Sequence, residues 1–129
     1  MIKAKDLRIG DIVRYGKNTI TILAVHANGG VCFTDGKDQL YAEDVLLEPI
    51  LLTPEILEKN GWKKRTEGWY FMMISKYMYL SVEFGYENGI RVFLKRTTDG
   101  LYVKLNIANN VHELQHILWA LGKDANLKI

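Results

Sequence analysis

The sequence predicts an α+β protein: an N-terminal SH3-like small β-barrel over residues 1–50, then a unit over residues 51–129. That second unit comprises a short linking helix and an antiparallel β-meander with one packed C-terminal helix. Three observations carry this reading. Short apolar runs alternate with turn signals from Leu7 to Glu48, apolar residues recur at every second position between Met78 and Ile107, and two segments are bracketed by helix-capping residues.

In the first module "RIGDIVRYG", "TITILAV", "NGGVCFTDG" and "DQLYAEDVLLEPI" read as four or five short strands. Between Thr19 and Ile22 threonine and isoleucine alternate, which gives one wet and one buried face. Asn28-Gly29-Gly30 supplies the positive-φ positions of a tight hairpin. So few strands close most naturally as a small curved barrel, and Pro49 ends the module. "LLTPEILEKNGW" then reads as a helix with Thr53 as N-cap, Pro54 at the first helical position and Gly61 at the left-handed C-terminal position. Ile56 and Leu57 would fill an apolar gap.

"KKRTEG" reads as a connector, so Lys63, Lys64 and Arg65 are expected in a solvated loop. Trp69 to Ile74 reads as a strand. Beyond it, parity fixes the register: a loop at Tyr86 to Asn88 pairs Val82 with Val92, and one at Thr97 to Gly100 pairs Leu94 with Val103. The opposite face then carries Tyr79, Lys95 and Tyr102 in one row, Ser81, Phe93 and Lys104 in the next, and Glu83, Arg91 and Asn106 in the third. The last element, Val111 to Leu121, is helical, with Asn109 or Asn110 as N-cap and Gly122 as stop.

Composition limits the function classes. Lys+Arg number 17 against 15 Asp+Glu, a formal charge of +2, well short of the excess expected of a protein that lives mainly by phosphate contacts. The single cysteine, Cys32, lies in an apolar run and reads as a small buried hydrophobe in a reducing, cytoplasmic setting. No secretion signal or membrane span is read from the chain.

"HELQH", His112 to His116, matches the HExxH pattern of zinc peptidases, where residues four apart bring two imidazoles to one metal and the glutamate activates its water. The surroundings do not fit that chemistry. Helix phase groups Val111, Leu114, Ile117, Leu118 and Leu121 on one side, and turns His112 and His116 toward solvent or a neighbouring module. Downstream, "ILWALGKDANLKI" offers no third histidine or glutamate. His112, Glu113 and His116 are therefore read as a spurious match, two surface histidines on an amphipathic helix, with no catalytic residue, metal or cofactor assigned.

The candidate binding face is Tyr79, Arg91, Phe93, Lys95, Tyr102 and Lys104, aromatic and basic residues interleaved on the sheet side away from the last helix. The competing reading is that the first module, the short helix or a second copy covers those rings. No glycine-rich phosphate loop, nucleophile elbow or CxxC pair appears, and Cys32 has no histidine beside it in sequence. Asp35, Asp38, Glu43 and Asp44 do not match a calcium-loop spacing and read as turn and surface residues.

Three segments, "KAKDLRIGDIV", "LEPILLTPEILEKNGWKK" and "VHELQHILWALG", resemble in order the landmarks LRIGN-V, EPI-LT-E-L---GF-K and VH-LQ-L--AL-G of a family of short uncharacterised bacterial proteins, many carried on prophages and other mobile elements. Leu7, Arg8, Ile9, Gly10 and Val13 match the opening; Glu48, Pro49, Ile50, Leu52, Thr53, Glu55, Leu57, Gly61 and Lys63 match the centre, with Trp62 in place of phenylalanine. Val111, His112, Leu114, Gln115, Ala120, Leu121 and Gly122 match the close. In that pattern the positions of Glu113 and His116 are often glutamine-like and asparagine-like, so the resemblance implies a packing motif and no metal. The resemblance implies no known activity, substrate or cofactor, only an architecture and a genomic setting; the leading reading is a non-enzymatic accessory or interaction protein with a protein partner or self-association. The alternatives are a nucleic-acid-binding module using the aromatic face and, third, an HExxH zinc hydrolase.

Overall fold

The computed structural model describes residues 2–43 and 47–129; Asp44 and the adjoining Val45-Leu46 of the expected strand run lie outside the described residues. A short 3₁₀ turn, Ala4–Asp6, precedes β1 (Ile12–Tyr15), β2 (Asn18–Val25), β3 (Gly30–Thr34), β4 (Gln39–Glu43) and β5 (Leu47–Glu48). These form one antiparallel sheet in the order β4-β3-β2-β1-β5. The Thr/Ile alternation does what it predicts: Ile20 and Ile22 are buried beside Val13, Val31, Phe33 and Leu47, while Thr19 stays exposed. A register shift between Ile22 and Ala24 interrupts the β2–β3 ladder. Among the described residues no ladder joins β4 to β5, so the sheet has two edges and is not a closed barrel.

α1 (Pro54–Lys59) follows, with the Thr53 hydroxyl accepting from the Ile56 N–H at 3.3 Å and Gly61 at φ +85°. The second antiparallel sheet runs β10-β9-β8-β7-β6, from β6 (Lys63–Thr66), β7 (Trp69–Met73), β8 (Met78–Glu83), β9 (Arg91–Arg96) and β10 (Tyr102–Lys104). The parity register holds: Val82 pairs with Val92, Leu94 with Val103, and Tyr79 and Tyr102 both flank Lys95. Lys63 to Arg65 are corrected: they are not a connector but an exposed edge strand, Lys63 paired with Phe71 and Lys64 with Tyr70. Nothing in "KKRT" alternates in hydropathy, so period-2 reading misses it. Lysines on an edge also discourage pairing with another chain. Beyond β10 regular pairing stops, though the Leu105 N–H still donates to Val92 and that of Ala108 to Ile90.

α2 (Val111–Ala120) lies on the inner face of this sheet. Asn110 caps it through a full capping box with Glu113. Its apolar stripe packs with Leu57, Trp62, Tyr70, Leu80, Val82 and Val92, and Ile12 of β1 belongs to the same cluster. Ala125 and Leu127, from a tail the sequence reading left without a role, also join it.

A buried carboxamide on α2 holds the entry of the first sheet. Gln115 Oε1 accepts from the Ile12 N–H at 2.8 Å, and its Nε2 donates to the carbonyls of Gly10 (3.0 Å) and Ala125 (2.8 Å). Side chains at Gln115 are 1% exposed, so no water can replace these bonds without opening the joint. Gly10 sits at φ +94° against the Trp119 ring, where a Cβ would fall 3.1 Å from ring carbons. Gln115→Ala strands the Ile12 N–H and the Gly10 carbonyl, while the Ala125 carbonyl keeps the Leu127 N–H; the expected loss is about 2 kcal/mol or more in urea unfolding with an unchanged m-value.

Candidate functional site

His112 and His116 do turn away from the apolar stripe, but not to solvent, and this corrects the surface-histidine reading. His112 is only 6% exposed. His116 reaches the first module, where its Nε2 donates to the Asp11 carboxylate at 2.8 and 2.9 Å. Asp11 is fully buried and also accepts from the Arg8 N–H at 2.8 Å. Glu113 Oε1 is occupied by the Asn110 backbone N–H and side-chain amide. Sequence phase gave the direction; only the first module, packed against this side of α2 through Asp11, supplies the burial.

Of the three HExxH residues, Glu113 and His116 therefore have other partners. His116 and Glu113 border two open clefts of about 480 and 620 Å³, with Arg8 on the rim of both. The two imidazole rings stand edge to face, centroids 5.8 Å apart. Among the described residues no group of three His, Cys, Asp or Glu side chains could hold a metal ion.

His112 Nδ1 is buried with no hydrogen-bond partner. Desolvation pushes its imidazole below the usual histidine range, with Asp11, Glu113 and Asp6 opposing and His116 adding to the shift. The neutral ring is thus the one that folds. On acidification the unfolded chain takes up the proton first, so stability present above about pH 6.5 falls as pH drops toward the depressed folded-state value. His112→Leu is expected to flatten that decline between about pH 7 and pH 5 in denaturation curves; an unchanged slope would contradict it.

The outer face of the second sheet is larger than the sequence reading made it. The ladders extend each row across the sheet: Met73–Tyr79–Lys95–Tyr102, Lys63–Phe71–Ser81–Phe93–Lys104, and Thr66–Trp69–Glu83–Arg91. Trp69, Phe71, Met73, Lys63 and Arg65 were missed because the β6 and β7 register was not read. Trp69 to Met73 is apolar or aromatic at every position, so only its pairing to β8 says which of its residues face outward.

Within this face the six expected residues divide. Phe93 is only 8% exposed, with the Tyr102 ring edge-on at 5.5 Å. Lys95 is not free: its Nζ lies 2.7 Å from Glu83 and 5.1 Å from the Trp69 ring centre. Glu83, 2% exposed, also accepts from Ser81 Oγ at 2.8 Å and Tyr86 Oη at 3.1 Å. Desolvation, followed by the bond to Glu83, raises the Tyr86 phenol above its ordinary value. Arg91 stacks on the Tyr86 ring, 4.1 Å from guanidinium carbon to centroid, and its buried Nε has no partner. Tyr79 accepts from Arg65 at 3.0 Å. Tyr102, 64% exposed, and Lys104 remain outward and unengaged by any ion pair among the described residues.

On the first sheet Cys32 is half-buried, and His26 Nε2 lies 3.3 Å from its Sγ. The absence of a histidine beside Cys32 in sequence is thus corrected in space, because the hairpin folds β2 back on β3. No family model, curated protein or solved structure matches the chain.

Proposed function

We propose that this is a non-enzymatic accessory or interaction protein, of the kind carried by phages and mobile elements, working through the outer face of its second sheet. The observation that carries the reading is the exposure of Trp69, Met73 and Tyr102 on the side of the sheet opposite the helix-packed core. Large rings held on a rigid sheet and left open are a binding surface more readily than a packing one. The first sheet, in the order β4-β3-β2-β1-β5, supports its assignment as an SH3-like barrel open between β4 and β5. A cytoplasmic setting fits the single free cysteine, and no described helix is long and apolar enough to cross a membrane.

Rings kept for binding contribute little to folding. Replacing the exposed Tyr102 and Met73 by serine is expected to change stability by no more than about 1 kcal/mol, whereas Phe93→Ser beneath them costs about 3 kcal/mol or more. Equal, large losses in urea titrations would make the whole face structural and overturn the reading.

A further inference from the structure

We infer that the occupant of this face is a single-stranded nucleic acid, held by base stacking on Trp69 and Tyr102 and by phosphate contacts from Lys63, Arg65, Arg91 and Lys104. The inference rests on the preceding reading of the face as the working surface. Its first support is charge placement. The chain as a whole carries only +2, yet these four cations share one face and have no carboxylate within 4.0 Å among the described residues. The acidic side chain in the rows of that face, Glu83, is buried and neutralised by Lys95. The neighbouring Glu67 and Asp99 are bound to Lys64 and Arg96.

The second support is where the rings stand. Trp69 and Tyr102 lie in rows four residues apart and on strands three apart; the Lys95 ammonium stands 5.1 Å from the Trp69 ring centre and 5.3 Å from that of Phe93, and the Tyr102 ring 5.5 Å from Phe93. Phe71, Tyr79 and Phe93 lie between them on the same face. That is an aromatic diagonal flanked by cations, suited to a run of unpaired bases; a duplex hides its base faces and could use the cations alone. An acidic peptide would satisfy the charges and leave the ring planes unused. Arg91, flat on Tyr86 with an unpartnered Nε, is oriented without a carboxylate to hold it.

The test is fluorescence anisotropy of the full chain with labelled DNA and RNA 12-mers, single-stranded and duplex, at about 50 and 200 mM salt. The expected result is binding of single strands in preference to duplex, weakening with a log–log salt slope of about −2 to −3, as for three to four phosphate contacts. Tyr102→Ala is expected to weaken it about ten-fold at unchanged slope, Lys104→Glu to make the slope shallower, and Lys17→Glu on the first sheet to change nothing. The DNA and RNA arms separate the two sources of the ligand. No binding at the lower salt overturns the inference, and so does duplex binding as tight as single-strand binding and indifferent to Tyr102→Ala. Sedimentation run alongside keeps the two readings apart. A dimer dissociated by Tyr102→Ser, with no oligonucleotide bound, leaves the face as the working surface and makes a second copy its occupant.

Discussion

Gln115 ties together three parts of the chain that are distant in sequence: the β1 entry at Gly10 and Ile12, the last helix, and the tail at Ala125. A carboxamide can do this because it offers an acceptor and two donors in one plane, and here all three are used. Beside it His116 Nε2 donates to the buried Asp11 carboxylate at 2.8 Å. Together they lock the first sheet against α2, whose apolar stripe packs on the inner face of the second sheet. The inner face is sealed as a consequence. Whatever this protein binds along the second sheet, it binds on the outside.

Among the described residues two carboxylates are buried, and they serve different ends. Asp11, fully buried at the joint, accepts from the Arg8 N–H of its own module and from the His116 imidazole of α2, so it joins the two. Glu83 sits at the centre of the outer face and gathers Ser81, Tyr86 and Lys95 around itself. A buried ion pair of this kind adds little net stability over an apolar core, but it fixes side-chain positions. Lys95, pinned to Glu83, lies close to both the Trp69 and Phe93 rings and thereby sets the platform from which Tyr102 projects.

Much of the second sheet was legible because parity is strict. Once Phe84 and Ile90 are placed, every pair from Met78–Arg96 to Glu83–Arg91 follows, and Tyr102 must flank Lys95. The helices were legible because capping has its own chemistry, as Thr53 and Asn110 show. Lys63 to Thr66 was not, since an edge strand exposed at all four positions has no alternation to read. His112 was placed on the correct side of α2 but given the wrong environment, because periodicity says which residues share a face and not what lies against it. The Cys32–His26 approach and the Gln115 bonds depend on long-range packing and had no local signal. The motif that looked like chemistry, HELQH, turned out to spell the joint.

A double-mutant cycle of Asp11→Ala and His116→Ala, followed by urea unfolding near neutral pH, tests that joint most directly. The structure predicts a coupling of about 1 kcal/mol or more, since the fully buried Asp11 carboxylate has the partly exposed His116 as its side-chain partner. Additive losses, with no coupling, would mean that the modules do not meet through this pair, and would contradict the account.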